Sequence, residues 1–134
     1  IPNKPVAFGA NCGTGAPDLL RTVQDFAETS PNSILIAKGN AGIPKYVDGH
    51  ILYDGTPELM AKYAVMARNS GATIIGGCCG TKSEHLLSMR SALENESLGA
   101  VPSLQQIELE IGSFSSQIRK IIKENKPKRR RRRI

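Results

Sequence analysis

The sequence predicts an α/β fold built on a parallel sheet, and three observations carry that reading. Three times in the first hundred residues an apolar run is followed by a glycine-rich loop and then by an amphipathic stretch. The apolar runs are continuous, as strands buried beneath helices require, and do not alternate with polar residues. Short loops in β-α-β-α-β-α order make the strands parallel, with right-handed crossovers. Two architectures fit this order: a doubly wound sheet, or part of a (β/α)8 barrel. Three units are fewer than a barrel of about 250 residues needs.

The first unit runs through VAFGA (6–10), the loop NCGTGAP and a helix beginning near Asp18. Leu19, Leu20, Val23, Phe26 and Ala27 share one face of that helix, with Asp25 and Glu28 opposite. The second unit is SILIA (33–37), followed by a long loop from Lys38 to Gly55. Its helix opens at Thr56 with Pro57 in the first helical position and Glu58 just inside, and Leu59, Met60, Tyr63, Ala64 and Ala67 form its apolar face. The third is ATIIG (72–76), the loop GCCGT and a helix from about Ser83 to Glu94 carrying Leu86, Leu87, Met89 and Leu93.

After Gly99 the composition changes. Residues 100–125 read as a helical extension of one or two short helices. Leu104, Ile107 and Ile111 form one apolar stripe, and Ile118, Ile121 and Ile122 another. Residues 126–134, KPKRRRRRI with the preceding boundary at Asn125, read as a disordered low-complexity basic tail.

The net charge of +6 belongs to that end of the chain. Residues 1–100 carry 8 Lys/Arg against 9 Asp/Glu, whereas residues 101–134 carry 10 against 3. The domain itself therefore lacks the charge of a nucleic-acid binder, and the tail has no interleaved aromatics for base stacking. The tail is a candidate for weak contact with an anionic partner, or a solvated end that aids solubility. No apolar stretch approaches the roughly 20 residues of a membrane span. No signal peptide is apparent, and the chain opens on Ile1, so the numbered sequence is expected to begin inside a longer chain. Three cysteines are odd in number and too few for a disulfide scaffold, which favours a reducing, cytoplasmic setting.

Cys12 follows the first strand in GANCG, and Cys78 and Cys79 follow the third in GGCCG. In a parallel α/β sheet these loops share the rim at the strands' C-terminal ends, where ligands bind. The flanking glycines allow the positive φ and close approach that convergence of neighbouring side chains needs. Three convergent thiolates make a zinc site with one protein ligand fewer than a structural site, which is the pattern of catalytic zinc. A closed site completed by His50 or His85 is the competing arrangement, although His85 on its helix also suits solvent. A buried apolar cysteine pair and a vicinal disulfide are further alternatives, and the second leaves Cys12 without a role. Phosphate loops are excluded: the G-x-x-x-x-G-K frame fails at Thr81, and G-x-G-x-x-G fails at Asp18.

The segments GANCGTG, GNAGIP and IIGGCCGT, in this order and spacing, resemble the C-terminal part of the homocysteine S-methyltransferase domain over residues 5–95. The continuation KYVDGHILYDGTPELMAKYA looks most like the bacterial betaine–homocysteine methyltransferases. The resemblance implies the last three β/α units of a zinc-dependent (β/α)8 TIM barrel, an incomplete barrel within residues 1–99. It implies Zn²⁺ on Cys12, Cys78 and Cys79, with Asn11 and Asn40 shaping the rim around the substrate. Three thiolates and a substrate thiolate give a zinc centre of formal charge −2, which keeps sulfur electron-rich and nucleophilic. The reaction implied is in-line attack of homocysteine sulfur on an activated methyl group, yielding methionine.

By the same resemblance the segment that recognises the amino acid end of homocysteine lies in units this sequence lacks. Betaine is the first expectation for the donor, then methylcobalamin, then S-methylmethionine. A quaternary ammonium would sit against aromatic faces; the chain has no Trp, and Tyr53 in the long loop is the contributor the sequence offers. The non-enzymatic alternative is an inactive zinc-binding fragment acting as a partner-binding module.

Overall fold

The computed structural model of the chain describes residues 3–116. Among the described residues five strands, β1 (Ala7–Asn11), β2 (Ile34–Gly39), β3 (Pro44–Val47), β4 (His50–Tyr53) and β5 (Ala72–Gly77), are interleaved with helices. The helices are α1 (Ala16–Thr29), α2 (Pro57–Asn69), α3 (Ser83–Asn95) and α4 (Leu104–Glu110). Strands β1, β2 and β5 form a parallel sheet in the order β1-β2-β5. The result is a mixed α/β fold, and each strand of the parallel sheet is one of the three apolar runs.

Helix α1 begins at Ala16, two residues before Asp18, because Pro17 is tolerated in a first turn where no N–H partner is needed. Helix α2 starts as its sequence implies: the Thr56 hydroxyl accepts the Leu59 N–H at 3.2 Å, and Pro57 occupies the first helical position. In α4 the Ser103 hydroxyl caps in the same way, accepting the Gln106 N–H at 3.1 Å.

The helices cover one face of the sheet. Leu35, Ala37 and Ala72 lie beneath Leu19, Leu20 and Val23 of α1, Met60, Tyr63, Ala64 and Ala67 of α2, and Met89 of α3. Each fully buried side chain of leucine size contributes about 1.5–3 kcal/mol. Tyr63 is the largest of them; its hydroxyl accepts the Gly39 N–H at 2.9 Å, and burial drives its phenol far above the ordinary range. A Cβ at Gly39 would come within 3.0 Å of the Tyr63 ring, so glycine is what lets α2 sit this close. On the other face Ile34 (41% exposed) and Ile74 (48%) remain open. That alternation follows from the period of two along a strand.

Two expectations are corrected. The segment 38–55 is not all loop, because Pro44–Val47 and His50–Tyr53 pair as an antiparallel hairpin. Its turn is Asp48-Gly49, with φ of 48° and 81°, the primed turn that suits the twist of a two-residue hairpin. The dipeptide between two apolar runs was the available signal. In α3, Leu86 and Leu87 face outward and His85 is buried in their place, while Met89 is buried and Leu93 packs against the core as expected.

Beyond α3 the chain crosses back over the helical layer. Gln24 Nε2 donates to the Pro102 carbonyl at 3.0 Å, the Gly99 N–H donates to Asn69 Oδ1 at 3.0 Å, and Ile107, Ile111 and Phe114 are buried. The stripe Ile118, Ile121 and Ile122 and the basic run 126–134 lie outside the described residues. Among the described residues no helix is long and apolar enough to cross a membrane.

Candidate metal centre

The three thiols meet at the C-terminal rim because β2 separates and fastens both loops. The Cys12 N–H donates to the Lys38 carbonyl at 3.0 Å and the Cys78 N–H to the Gly39 carbonyl at 2.8 Å. Both bonds continue the sheet ladders one residue past β1 and β5. Cysteines 66 positions apart thus flank a single strand end. Asn40, next along β2, ties the loops together: its Oδ1 accepts the Cys79 N–H at 3.2 Å and its Nδ2 donates to the Gly13 carbonyl at 3.1 Å. The Ala41 N–H donates in turn to the Cys79 carbonyl at 2.9 Å.

Cys12 has φ of 62°, a left-handed conformation that costs a non-glycine residue about 1–2 kcal/mol. The turn swings its Sγ across the strand end to 3.6 Å from that of Cys79. Cys78 Sγ is 3.9 Å from Cys79 Sγ, and all three sulfurs lie within 4.8 Å of one another. All three cysteines are free thiols and only partly buried. The Asn11 amide points at Cys78 Sγ from 4.0 Å. Neither histidine joins the cluster. His85 is 5% exposed, and both ring nitrogens are engaged: Nδ1 accepts the Lys82 N–H at 3.0 Å and Nε2 lies 2.7 Å from the Gly55 carbonyl. It is a structural link between α3 and the hairpin base, neither a fourth ligand nor a solvent-facing residue.

Two further residues, Tyr53 and Lys38, lie at this rim. Tyr53 ends β4 and packs on Gly80, where a Cβ would collide with the Tyr53 Cβ and ring, so the glycine after the paired cysteines admits the hairpin. Its contact with Cys79 raises the Tyr53 phenol above its ordinary value. Lys38, which the sequence reading passed over, lies in register between Asn11 and Gly76 on the uncovered face. The signal for it was a lone lysine at the end of an otherwise apolar strand.

The thiols are unequal. Hydrogen bonding from Cys79, followed by the Gly13 N–H, pulls Cys12 below the ordinary thiol value, whereas the bond to Cys12 pushes Cys79 up, with Tyr53 opposing. Three thiolates this close repel one another, and a divalent cation between them removes that cost. Tetrahedral Zn²⁺ with Zn–S bonds of about 2.3 Å needs sulfurs about 3.8 Å apart. Two of the three pairs, at 3.6 and 3.9 Å, fit that requirement, and the third lies within 4.8 Å.

A three-thiol cluster on the rim of a parallel sheet is what the motifs GANCG and GGCCG build together. Residues 1–93 match the homocysteine S-methyltransferase family. The chain belongs to that family. The match spans every element from β1 to the body of α3 and therefore includes all three cysteines, Asn11, Asn40 and Tyr53. The family is one of methyltransferases that act on homocysteine. Helix α4 and the residues after it lie beyond the matched region.

Proposed function

We propose that this chain serves a zinc-dependent transfer of a methyl group to homocysteine, giving methionine, with Cys12, Cys78 and Cys79 as the metal ligands. The observation that carries this reading is the sulfur cluster itself, three thiols at 3.6 and 3.9 Å with no histidine among them. A set of three protein ligands suits an open catalytic position better than a closed structural one. When bound, zinc supplies the Lewis acidity that keeps a thiol substrate deprotonated at neutral pH.

The chain's own residues divide the remaining work. Asn40 holds the Cys12 and Cys79 loops at a common height, and Asn11 presents its amide beside Cys78 on the substrate side of the rim. Tyr53 brings an aromatic side chain to the rim beside Cys79, which supports betaine as donor ahead of methylcobalamin and S-methylmethionine. The one-sided helical layer favours the last three β/α units of a (β/α)8 barrel over a doubly wound sheet, whose helices cover both faces. The face with Ile34, Ile36 and Ile74 would then be the barrel interior, and the outer edges of β1 and β5 would take further strands. Residues 1–99 form this portion, 100–125 the extension, and 126–134 a basic tail with weak affinity for anions. Free thiols suit a reducing cytoplasmic setting.

The open sheet face also favours a second reading, in which the chain holds zinc without turnover and docks a partner through that face. Zinc content and zinc-edge X-ray absorption, with and without homocysteine, separate the two. Three sulfurs and one light atom, changing to four sulfurs on addition, is the expected result. A shell unmoved by homocysteine favours the second reading, and the absence of stoichiometric zinc under reducing conditions removes the metal from both.

A further inference from the structure

The Cys12 loop is held from two sides, and the residue that makes one of those holds, Asp18, is itself contacted from outside the family-matched region. Cys12 has φ of 62°, a left-handed conformation that costs a non-glycine residue, whereas Gly13 and Gly15 take φ of 80° and 143° freely, so the loop needs outside contacts to hold Cys12 in place. On the sheet side the Lys38 carbonyl and the Asn40 amide fix it. On the helix side Thr14 Oγ1 donates to Asp18 Oδ2 at 3.2 Å. Helix α1 has no side-chain cap, and the Asp18 carboxylate in its first turn faces Thr14.

That carboxylate is oriented by the C-terminal extension. The Ser115 N–H donates to Asp18 Oδ2 and the Ser115 hydroxyl to Oδ1, each at 3.0 Å. Arg21 approaches Oδ1 at 3.5 Å while its guanidinium sits 5.0 Å above the Phe114 ring. Phe114 and Ile111 are buried against the helical layer, which anchors the donors. Charge-assisted bonds to a half-screened carboxylate are among the stronger side-chain interactions.

We infer that residues 111–115 brace the metal loop: by fixing Asp18 they fix Thr14, and through it the placement of Cys12. Asp18 and Ser115 are on this view positioning residues for the thiol cluster, an influence on metal binding that rests on the metal reading above. Outer-shell partners of this kind alter metal affinity by roughly ten- to a hundredfold when removed.

The test uses the full chain with Ser115→Ala, Asp18→Ala, Thr14→Val and Thr14→Ser. In the metal-free protein, amide hydrogen exchange at Cys12 should rise roughly tenfold in Asp18→Ala, the change expected for losing a charge-assisted hydrogen bond. Exchange at Leu35 and Ala37 of β2 should stay as in wild type, which separates a local brace from general destabilisation. Cobalt(II) titration should show affinity lowered roughly tenfold, with altered sulfur-to-cobalt absorption, in Asp18→Ala and Thr14→Val. Ser115→Ala should move both readouts in the same direction, and Thr14→Ser should match wild type. Wild-type exchange at Cys12 in both Ser115→Ala and Asp18→Ala would overturn the brace. Faster exchange with unchanged cobalt affinity would overturn the positioning role. A wild-type chain that takes up no cobalt under reducing conditions would remove the metal reading instead, and exchange at Cys12 alone would then decide the brace.

Discussion

The side chain of Asn40, 1% exposed, accepts the N–H of Cys79 at 3.2 Å and so joins the end of β2 to the second of the paired cysteines. Its other end donates to the Gly13 carbonyl, so one amide spans both thiol loops. Asn40→Ala leaves a backbone donor and a backbone acceptor without partners, each costing about 1–3 kcal/mol where water cannot replace the bond. The expected result in urea denaturation is a loss in that range. Zinc affinity should fall alongside it, read by competition with a chelator. An Asn40→Ala protein with wild-type stability and affinity would show that the amide is a bystander.

Cys12 carries a conflict between conformation and chemistry. Its φ of 62° suits glycine, whereas the metal reading needs the thiol. Metal-free Cys12→Gly should therefore be more stable than metal-free Cys12→Ala by about 1 kcal/mol, because alanine keeps the left-handed strain. Both variants should fail to retain stoichiometric zinc. Thermal melting in the presence of chelator, followed by metal analysis of dialysed protein, checks the two halves separately.

Tyr63 supports the rim from beneath. Tyr63→Phe keeps the ring against Gly39 but strips the acceptor from the Gly39 N–H, one residue before Asn40. We expect a stability loss of about 1–2 kcal/mol with zinc stoichiometry retained. Equilibrium unfolding paired with zinc analysis tests this, and a loss of zinc would mean that the hydroxyl also tunes the rim.

The hairpin base has an acid-sensitive clasp. Lys45 Nζ lies 2.6 Å from Asp54 Oδ2, and that hydrogen bond holds the Asp54 carboxyl below its ordinary value of 3.8. A depressed carboxylate contributes stability that is present above its unfolded value and is lost as pH falls through the folded one. Melting temperature should thus decline as pH drops below 3.8, and Lys45→Met should make that decline shallower. Both groups are half exposed, so 1 M salt should shrink the difference between the two proteins.

Much of this architecture is legible in the sequence. The continuous runs 6–10, 33–37 and 72–76 are strands, each continuing one or two residues further in the structure, and Thr56-Pro57 marks a helix start, because those signals act within a few residues. The hairpin was missed although Asp48-Gly49 announced it. Tyr46, Val47, Ile51 and Leu52 are exposed, so no burial pattern backed the turn signal. His85 was misplaced for the converse reason: nothing local says that Gly55, thirty residues earlier, will present a carbonyl to its ring.

The sequence alone determined that three thiols occupy loops on one rim, since parallel strand order places such loops there whatever the detailed packing. Only the tertiary structure decided that β2 lies between β1 and β5, that Asn40 spans the two loops, and that Ser115 reaches back to Asp18 across 97 positions. Strand identity follows from the period and composition of a short run. Register, hydrogen-bond partners and a 3.6 Å sulfur separation depend on how distant segments exclude water together, and no local pattern encodes that.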